Sequence, residues 1–582
     1  MTMASAQAVL SAGSDNISAD LSRRPRLRVG LFVAGRLHPR CLVEAFSRIA
    51  ASDYAEIVLV AVGRQDEPAC SGLWRLYRRL DRWAFASSPD TSEAIDLPAH
   101  LASARLIEMP DHISGRPVLD FWLNTIARLG LDVAFTLGNI DDQAIAGVAR
   151  YGAWRFALGG GKALSAGLEG FQEVAEGRGI TTSSLRACLA GGSERILYES
   201  RSRTALFSAS RNRDKLLRRI AQFPGRVLKA LHQSQGRSLT ACRTRVRRAP
   251  AAGQSTLAKL NLTSNLAGVA QRIVRRGLQK LLYVDQWFIA YRFDAAGGAL
   301  ENLPNFPNRP NPGGYSCLMP PKDRFWADPF PIQRDGRFFI FFEELIFADA
   351  KAHISVVELD RAGNCSEPQR VLERPYHLSY PCLIEEGGEL FMVPETGQNG
   401  SVELYRCARF PDQWTLEKVL LRAPYCVDAT FHRVGDKWWM FVNIGEDGSE
   451  VHDELHLYHA DSLCGEWRAH SMNPVKSDVR SARPAGRLYQ DNGKLYRPAQ
   501  IGAPLYGSGI TINRVLKLSP EEFVEEVAGC LLPPLDSDFL GVHTLNCAGE
   551  LCVVDGFVRR SRLGNAPSAT FEPEYLPAWS CP

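Results

Sequence analysis

The stretch FWADPFPIQRDGRFFIFFEE, residues 325–344, reads as an apolar strand, a tight Asp335-Gly336 turn and an aromatic second strand. The same plan returns four more times, from HLSYPCL (377–383), YCVDATFH (425–432), SARPAGR (481–487) and GVHTLN (541–546). Its turns are then Gly387-Gly388, Gly435-Asp436, Asn492-Gly493 and Ala548-Gly549. The turn glycines (Gly336, Gly388, Gly435, Gly493 and Gly549) lie 52, 47, 58 and 56 residues apart. That interval suits one four-stranded blade, so five copies predict an all-β five-bladed propeller. A propeller aims the first strand of every blade at one central channel. Asp328, Tyr380, Asp428, Arg483 and His543 are therefore expected to converge there. The strand DQWFIAYRFD (285–294) precedes the first copy and is expected to complete the last blade, closing the ring and removing its exposed edges.

Working outward, 582 residues are too many for one core and imply several domains. The composition is that of a soluble globular protein: 45% hydrophobic, 23% charged, mean hydropathy -0.16. No run approaches the length of about 18 apolar residues that a membrane span needs. The first two dozen residues lack a basic start followed by an apolar block, so residues 1–26 are read as a disordered leader without a secretory signal. The fourteen cysteines show no zinc-type spacing and are expected to be reduced, partly buried thiols, which gives a cytoplasmic address. Charge is unevenly spread: residues 201–285 hold 19 Lys+Arg against 2 Asp+Glu, and the rest of the chain 49 against 62.

From Leu27 the pattern alternates strand and helix, beginning LRVGLFVAG, which predicts an open, Rossmann-like parallel sheet over residues 27–200. In VLDFWLNTIARLG, Gly130 is placed to stop a helix. The basic stretch 201–284 is predicted to hold two helices joined by a flexible segment. In the second helix Val269, Ile273, Leu278 and Leu282 lie near one face, with Arg272, Arg275, Arg276 and Lys280 around the rest. This region is read either as a solvated interdomain linker or as a peripheral contact with an anionic inner membrane. Nucleic acid is not expected as a partner, because almost no aromatics are available to stack on bases. The propeller is assigned to 285–565 and a tail to 566–582.

The phrase ARYGAWRFALGG (149–160) and the order of elements before it resemble the N-terminal half of formyltransferase-fold proteins. The same kind of domain precedes a propeller in bacterial proteins that carry a His-His-Gly-Asp block at this point. Here the matching positions are Ala157, Leu158, Gly159 and Gly160. The family's later carboxylate segment is matched by Gly191, Gly192, Ser193 and Glu194. The resemblance therefore implies a degenerate formyltransferase-like domain, a binder or a scaffold, with sugar-amine formylation as an alternative activity. The glycines at 159–161 are a weak phosphate-loop signal.

The phrases FWADPFP, HLSYP, MVPE, RPAGR and YRPAQ resemble the propeller domain of glucosamine inositolphosphorylceramide transferases and, more distantly, the glycoside hydrolase family 43 propellers. That resemblance implies Asp328 as general base and Asp428 as the residue tuning the acid. The blade-four place for the acid holds Arg483 instead, and Glu395 in MVPET is the best substitute, ahead of Glu343 and Glu344. Arg480, Arg483, Arg487 and Arg497 suggest a second chemistry, departure of a phosphate or nucleotide leaving group held by arginines. Arg483 and Arg497 are also readable as structural ion-pair partners of Asp328 and Asp428. His543 stands where the family 43 resemblance implies a central histidine near a bound cation. Read by itself it is a hydrogen-bonded core residue first and a mark of a single channel cation second, and no cofactor or protein metal ligand is assigned. Trp326, Tyr380, Trp438 and Trp439 are candidates for a sugar-stacking platform, and adjacent Trp438 and Trp439 must face opposite sides of their strand.

Two functional readings follow. One is a carbohydrate-active enzyme of polysaccharide or glycolipid biosynthesis, using a glycan, sugar-phosphate or nucleotide-sugar at Asp328, Asp428 and Glu395, with Arg483, Arg497, Tyr380, Trp326 and His543 binding substrate. The other is a non-catalytic glycan-binding scaffold that recruits a glycosyltransferase.

Overall fold

The computed structural model describes residues 25–64, 72–85, 92–110, 116–159, 162–163, 169–234, 244–245, 262–293, 315–446, 449–533 and 539–562. The expected leader and tail fall almost wholly, and the tail entirely, outside the described residues, as do Gly160 and Gly161. The chain divides into two compact units.

In the C-terminal unit the hairpins form where the sequence places paired left-handed residues. Asp335 and Gly336 (φ 49° and 75°) and Asn492 and Gly493 (47° and 72°) both turn within two residues. Such turns match the twist of the strands they join. Blade one runs Arg324–Arg334, Arg337–Ile346, His353–Leu359 and Gln369–Leu372. Blade two runs Ser379–Glu386, Glu389–Thr396, Ser401–Arg409 and Gln413–Arg422. Blade three starts at Cys426–Val434, and blade four is Tyr489–Asp491, Lys494–Ile501, Gly509–Leu518 and Phe523–Leu531. Blade five joins the two ends of the unit. Tyr283–Phe293 pairs antiparallel with Leu551–Ser561, residue for residue from Tyr283↔Ser561 to Phe293↔Leu551. Leu545–Ala548 and Ser316–Leu318 flank that pair. The five-bladed propeller and its closure by the strand at 285–294 agree with the sequence reading.

The inner strands of blades one, two and three carry the same irregularity. Their register breaks between Ala327 and Phe330, Ser379 and Cys382, and Val427 and Thr430. In each break one residue takes a left-handed backbone: Asp328 (φ 52°), Tyr380 (46°) and Asp428 (52°). A bulge adds a residue and re-aims its side chain, which is how these strands direct a polar group inward. Trp438 and Trp439 do face opposite sides, entering two separate apolar clusters.

In the N-terminal unit five parallel strands lie in the order Arg105–Glu108, Ala55–Gly63, Leu27–Ala34, Val133–Leu137, Ala153–Leu158. Ile180–Cys188 continues the sheet antiparallel to Ala153–Leu158, so the sheet is mixed. The helix Arg116–Ala127 ends before Gly130, which is left-handed at φ 60°.

Two expectations are corrected here. The basic stretch 201–284 is not simply a linker, because Ala209–Ser234 is one helix whose Leu217, Ile220, Phe223, Leu228 and Leu231 are buried in the core of the N-terminal unit. Several of its cations are drawn in with it: Arg219 is buried, Arg213 pairs with Glu169, and Arg226 donates to Tyr198 and Gln222. The second helix, Leu262–Leu282, buries Val269 but leaves Ile273 and Leu278 exposed. The cysteines are not all thiols either: Cys547 and Cys552, directly opposed in the blade-five hairpin, form a disulfide.

Candidate active site

Of the three bulge residues Asp328 enters a pocket of about 190 Å³ in the propeller, lined also by Glu343, Glu395, Arg483 and His543. Asp328 is buried. Its Oδ1 accepts from Thr544 Oγ1 at 2.6 Å and faces His543 Nε2 at 3.3 Å. Its Oδ2 accepts no hydrogen bond among the described residues. Burial pushes the Asp328 carboxyl up to about 7, against the pull of His543 and with the help of the carboxylates of Asp428, Glu343 and Asp555.

Asp555 completes this side of the site. Its Oδ1 accepts the backbone N–H groups of His543 and Thr544, each at 2.9 Å, and its Oδ2 accepts that of Asp328 at 3.1 Å. His543 Nδ1 lies 2.7 Å from Asp555 Oδ2, as an ion-pair contact rather than an aligned hydrogen bond. Burial lowers the imidazole, but Asp555 and then Asp328 outweigh it and bring His543 to about 9. At neutral pH it is an imidazolium between two carboxylates.

Asp328, His543 and Asp555 bring ligand atoms within 4.8 Å of one another, the spacing a cation would need. The arrangement does not favour one. Each ring nitrogen of His543 already faces a carboxylate, and Asp555 is filled by backbone donors. The imidazolium supplies the positive charge that the sequence reading assigned to an ion.

The second aspartate is held differently. Arg483 grips Asp428 with Nε on Oδ2 at 2.5 Å and Nη2 on Oδ1 at 3.2 Å, and Gln500 Nε2 adds a bond to Oδ2 at 2.8 Å. Arg483 also donates Nη1 to His452 Nδ1 at 2.9 Å, lies 3.6 Å from Glu395 and stacks over Tyr506, 5.1 Å from the ring centre. Burial raises Glu395 well above the usual carboxylate range, and the negative charge of neighbouring Asp428 raises it further while Arg483 opposes. Burial thus biases Glu395 toward its neutral, protonated form. The blade-four position lacks a carboxylate, and a glutamate from the second strand of blade two lies against the arginine that stands there.

The remaining sequence candidates are not brought to the pocket. Tyr380 is fully buried, with its hydroxyl accepting from Gly486 N at 2.6 Å and 2.8 Å from Thr430 Oγ1. Trp326 donates to Glu344 at 3.1 Å within blade one. Arg497 lies inside blade four on Glu525. Glu344 accepts from Trp326, Arg324 and Ser355 and pairs with His353; despite its burial these contacts hold it at about 2, so it cannot deliver a proton near neutrality. Trp438 and Trp439 are both core. The proposed arginine cluster is fully committed within the protein: Arg480 to Asp478, Arg483 to Asp428, Arg497 to Glu525, and Arg487 to the carbonyls of Leu383 and Pro331.

Sequence reasoning missed Trp287, Tyr506, Gln500 and Asp555. Trp287 packs 4.1 Å from the His543 ring and Tyr506 5.2 Å from it, and both line the pocket. A lone carboxylate in LCVVDGFV was a usable signal for Asp555, because a charge in an apolar run requires a buried partner. Tyr506 lies in an irregular segment that offered none.

The match to known proteins falls in this unit. Residues 319–532 match the family model described as glucosamine inositolphosphorylceramide transferase 1, N-terminal. The chain is 33% identical over 220 residues to glucosamine inositolphosphorylceramide transferase 1 of Oryza sativa subsp. japonica, covering 37% of this chain and 29% of that protein. It is 32% identical over 204 residues to the Arabidopsis thaliana protein of the same name, covering 34% and 27%. The chain thus spans under a third of the length of these relatives. Among solved structures, a GH43_1 enzyme from Xanthomonas citri aligns with 13% identity and a TM-score of 0.30, covering 40% of this chain and 87% of that one. An exo-1,5-alpha-L-arabinanase from a bovine ruminal metagenomic library aligns with 13% identity and a TM-score of 0.28, covering 37% and 86%.

Proposed function

We propose that the propeller pocket binds a glycosyl unit of a glycan or glycolipid precursor and acts at its glycosidic bond. The observation that carries this reading is the pairing, in one pocket, of a Glu395 that burial raises well above the usual carboxylate range with an Asp328 raised to about 7 whose Oδ2 is open. Glu395 gives its proton to the departing sugar oxygen. Asp328 takes a proton from water, for hydrolysis, or from an acceptor hydroxyl, for transfer. Asp428, fixed by Arg483 and Gln500, keeps Glu395 protonated. Because the blade-four arginines are committed to protein partners, departure assisted by a proton fits the residues better than departure of a phosphate. The relatives named as transferases of an inositolphosphorylceramide support a glycolipid acceptor.

Purified full-length protein, supplied with aryl glycosides and with nucleotide-sugars plus lipid acceptors, tests this by mass spectrometry of products. Turnover that disappears in Asp328→Asn and Glu395→Gln, with sugar affinity retained, supports the assignment. Sugar binding without turnover in the wild type points instead to a glycan-binding module. That second reading is favoured by the match to a region described as N-terminal, within relatives far longer than the match.

We read the N-terminal unit as a formyltransferase-like scaffold. Formyl transfer needs a polarising side chain and a base. The matching strand presents Ala157 and Leu158, and Glu194 is paired with Arg155 and Arg186. Release of a formylated amino sugar from a formyl-folate donor would overturn this reading.

A further inference from the structure

The helix Gly72–Phe85 of the N-terminal unit carries three distinct faces. One packs inward: Trp74 and Asp81 are buried, Trp74 stacks on Phe171 at 4.3 Å, and Asp81 accepts the backbone N–H of Ser210 at 2.7 Å. A second face is basic, formed by Arg75, Arg79 and Arg82, all exposed, with Arg78 at its margin. Arg75, Arg78 and Arg79 make no ion pair among the described residues. The third face is apolar and open to solvent. Leu73, Leu76, Leu80 and Trp83 follow one another at helical spacing and are 45%, 56%, 56% and 86% exposed.

Burying one face explains why the helix forms, and a solvated basic face is ordinary. Four large apolar side chains in a row beside arginines are not, because such a stripe in water costs free energy unless something covers it. The charge identifies the cover. The helix's own carboxylate, Asp81, is buried, so the exposed part offers cations alone. In a symmetric pairing of two copies through the stripe, the arginine rows would run beside each other and repel. An anionic surface meets both faces at once: the leucines and Trp83 enter the headgroup boundary while the arginines remain level with the charged groups.

We propose that this helix docks the protein on an anionic lipid surface. The site is separate from the basic segment 201–284 considered from the sequence, and it does not depend on the chemistry proposed for the propeller. Each arginine near such a leaflet strengthens binding about fivefold, and added salt weakens it.

The test is co-sedimentation of the full chain with phosphatidylcholine vesicles and with equimolar phosphatidylcholine–phosphatidylglycerol vesicles. The expected result is sedimentation with the anionic vesicles, at least about tenfold weaker with neutral ones and lost at high salt. Arg75→Glu/Arg79→Glu and Leu76→Ser/Trp83→Ser should each reduce it at least about tenfold while leaving the melting temperature unchanged, since all four side chains are exposed. No sedimentation with anionic vesicles, equal sedimentation with both kinds, or wild-type behaviour of both double variants overturns the proposal. A wild-type dimer that Leu76→Ser/Trp83→Ser dissolves would also overturn it, assigning the stripe to a second copy.

Discussion

Blades one and three place an aspartate on the same left-handed bulge, at φ 52° in both, yet the two carboxylates are held for different work. Asp328 has one oxygen tied to Thr544 and facing His543, and the other open to the pocket. Asp428 has both oxygens occupied by Arg483 and one of them also by Gln500. Backbone position brings a carboxylate to the channel; its neighbours decide whether an oxygen stays open or both are tied down. A repeated fold can in this way produce unlike groups from like strands.

The sharpest way to break the comparison is to neutralise Asp328 and the Glu395 that Asp428 adjoins, one at a time. Asp328→Asn and Glu395→Gln should each lower turnover by about 10²- to 10⁴-fold with little change in sugar affinity, read from kcat and from calorimetric titration. Equal, modest losses in both would dissolve the distinction between base and acid. Next in size is stability. Arg483→Met leaves Asp428 buried without its main cation and should cost about 3–5 kcal/mol in denaturant unfolding. Asp328→Asn, which removes a raised carboxyl, should cost far less.

The pH response separates the two sides further. A group whose folded pKa is raised contributes stability that is fully present below its unfolded value and lost as pH rises through the folded one. For Asp328, raised from 3.8 to about 7, and His543, raised from 6.5 to about 9, the melting temperature should decline from about pH 4 upward. His543→Gln should flatten the decline above neutrality, and Asp328→Asn the part below it. Turnover should move the opposite way, rising as Asp328 ionises near pH 7, so the most stable protein is not the most active. The smallest expected effect is at the pocket wall. Tyr506→Ala removes the ring stacked on Arg483 and should raise KM about tenfold with kcat nearly kept.

Much of this was legible before any coordinates. The five turns, the closing strand and the convergence of Asp328, Asp428, Arg483 and His543 follow from a repeat period and a two-residue alternation, both of which a sequence displays directly. Glu395 could be named as a substitute acid, but not that it would lie against Arg483, because that contact joins the second strand of one blade to the segment before another. Tyr380 misled: it occupies the same bulge as the two aspartates, and only packing shows its hydroxyl satisfied by Gly486 and Thr430. The arginines misled for a related reason, since a run of them reads alike whether its partners are substrates or carboxylates elsewhere in the chain. In the basic stretch 201–284 the first helix was legible but not its place in the core, because its charge density pointed to a solvated segment.

Blade five is built from strands more than 250 residues apart, Tyr283–Phe293 and Leu551–Ser561. Trp287 stands on the first, Asp555 on the second, and His543 just ahead of it. During synthesis, therefore, the ribosome must release nearly all of this unit before the imidazolium meets either of its carboxylates. A nascent chain halted inside blade four would carry Asp328, Asp428, Arg483 and Glu395 but neither His543 nor Asp555, so one side of the pocket would have no wall.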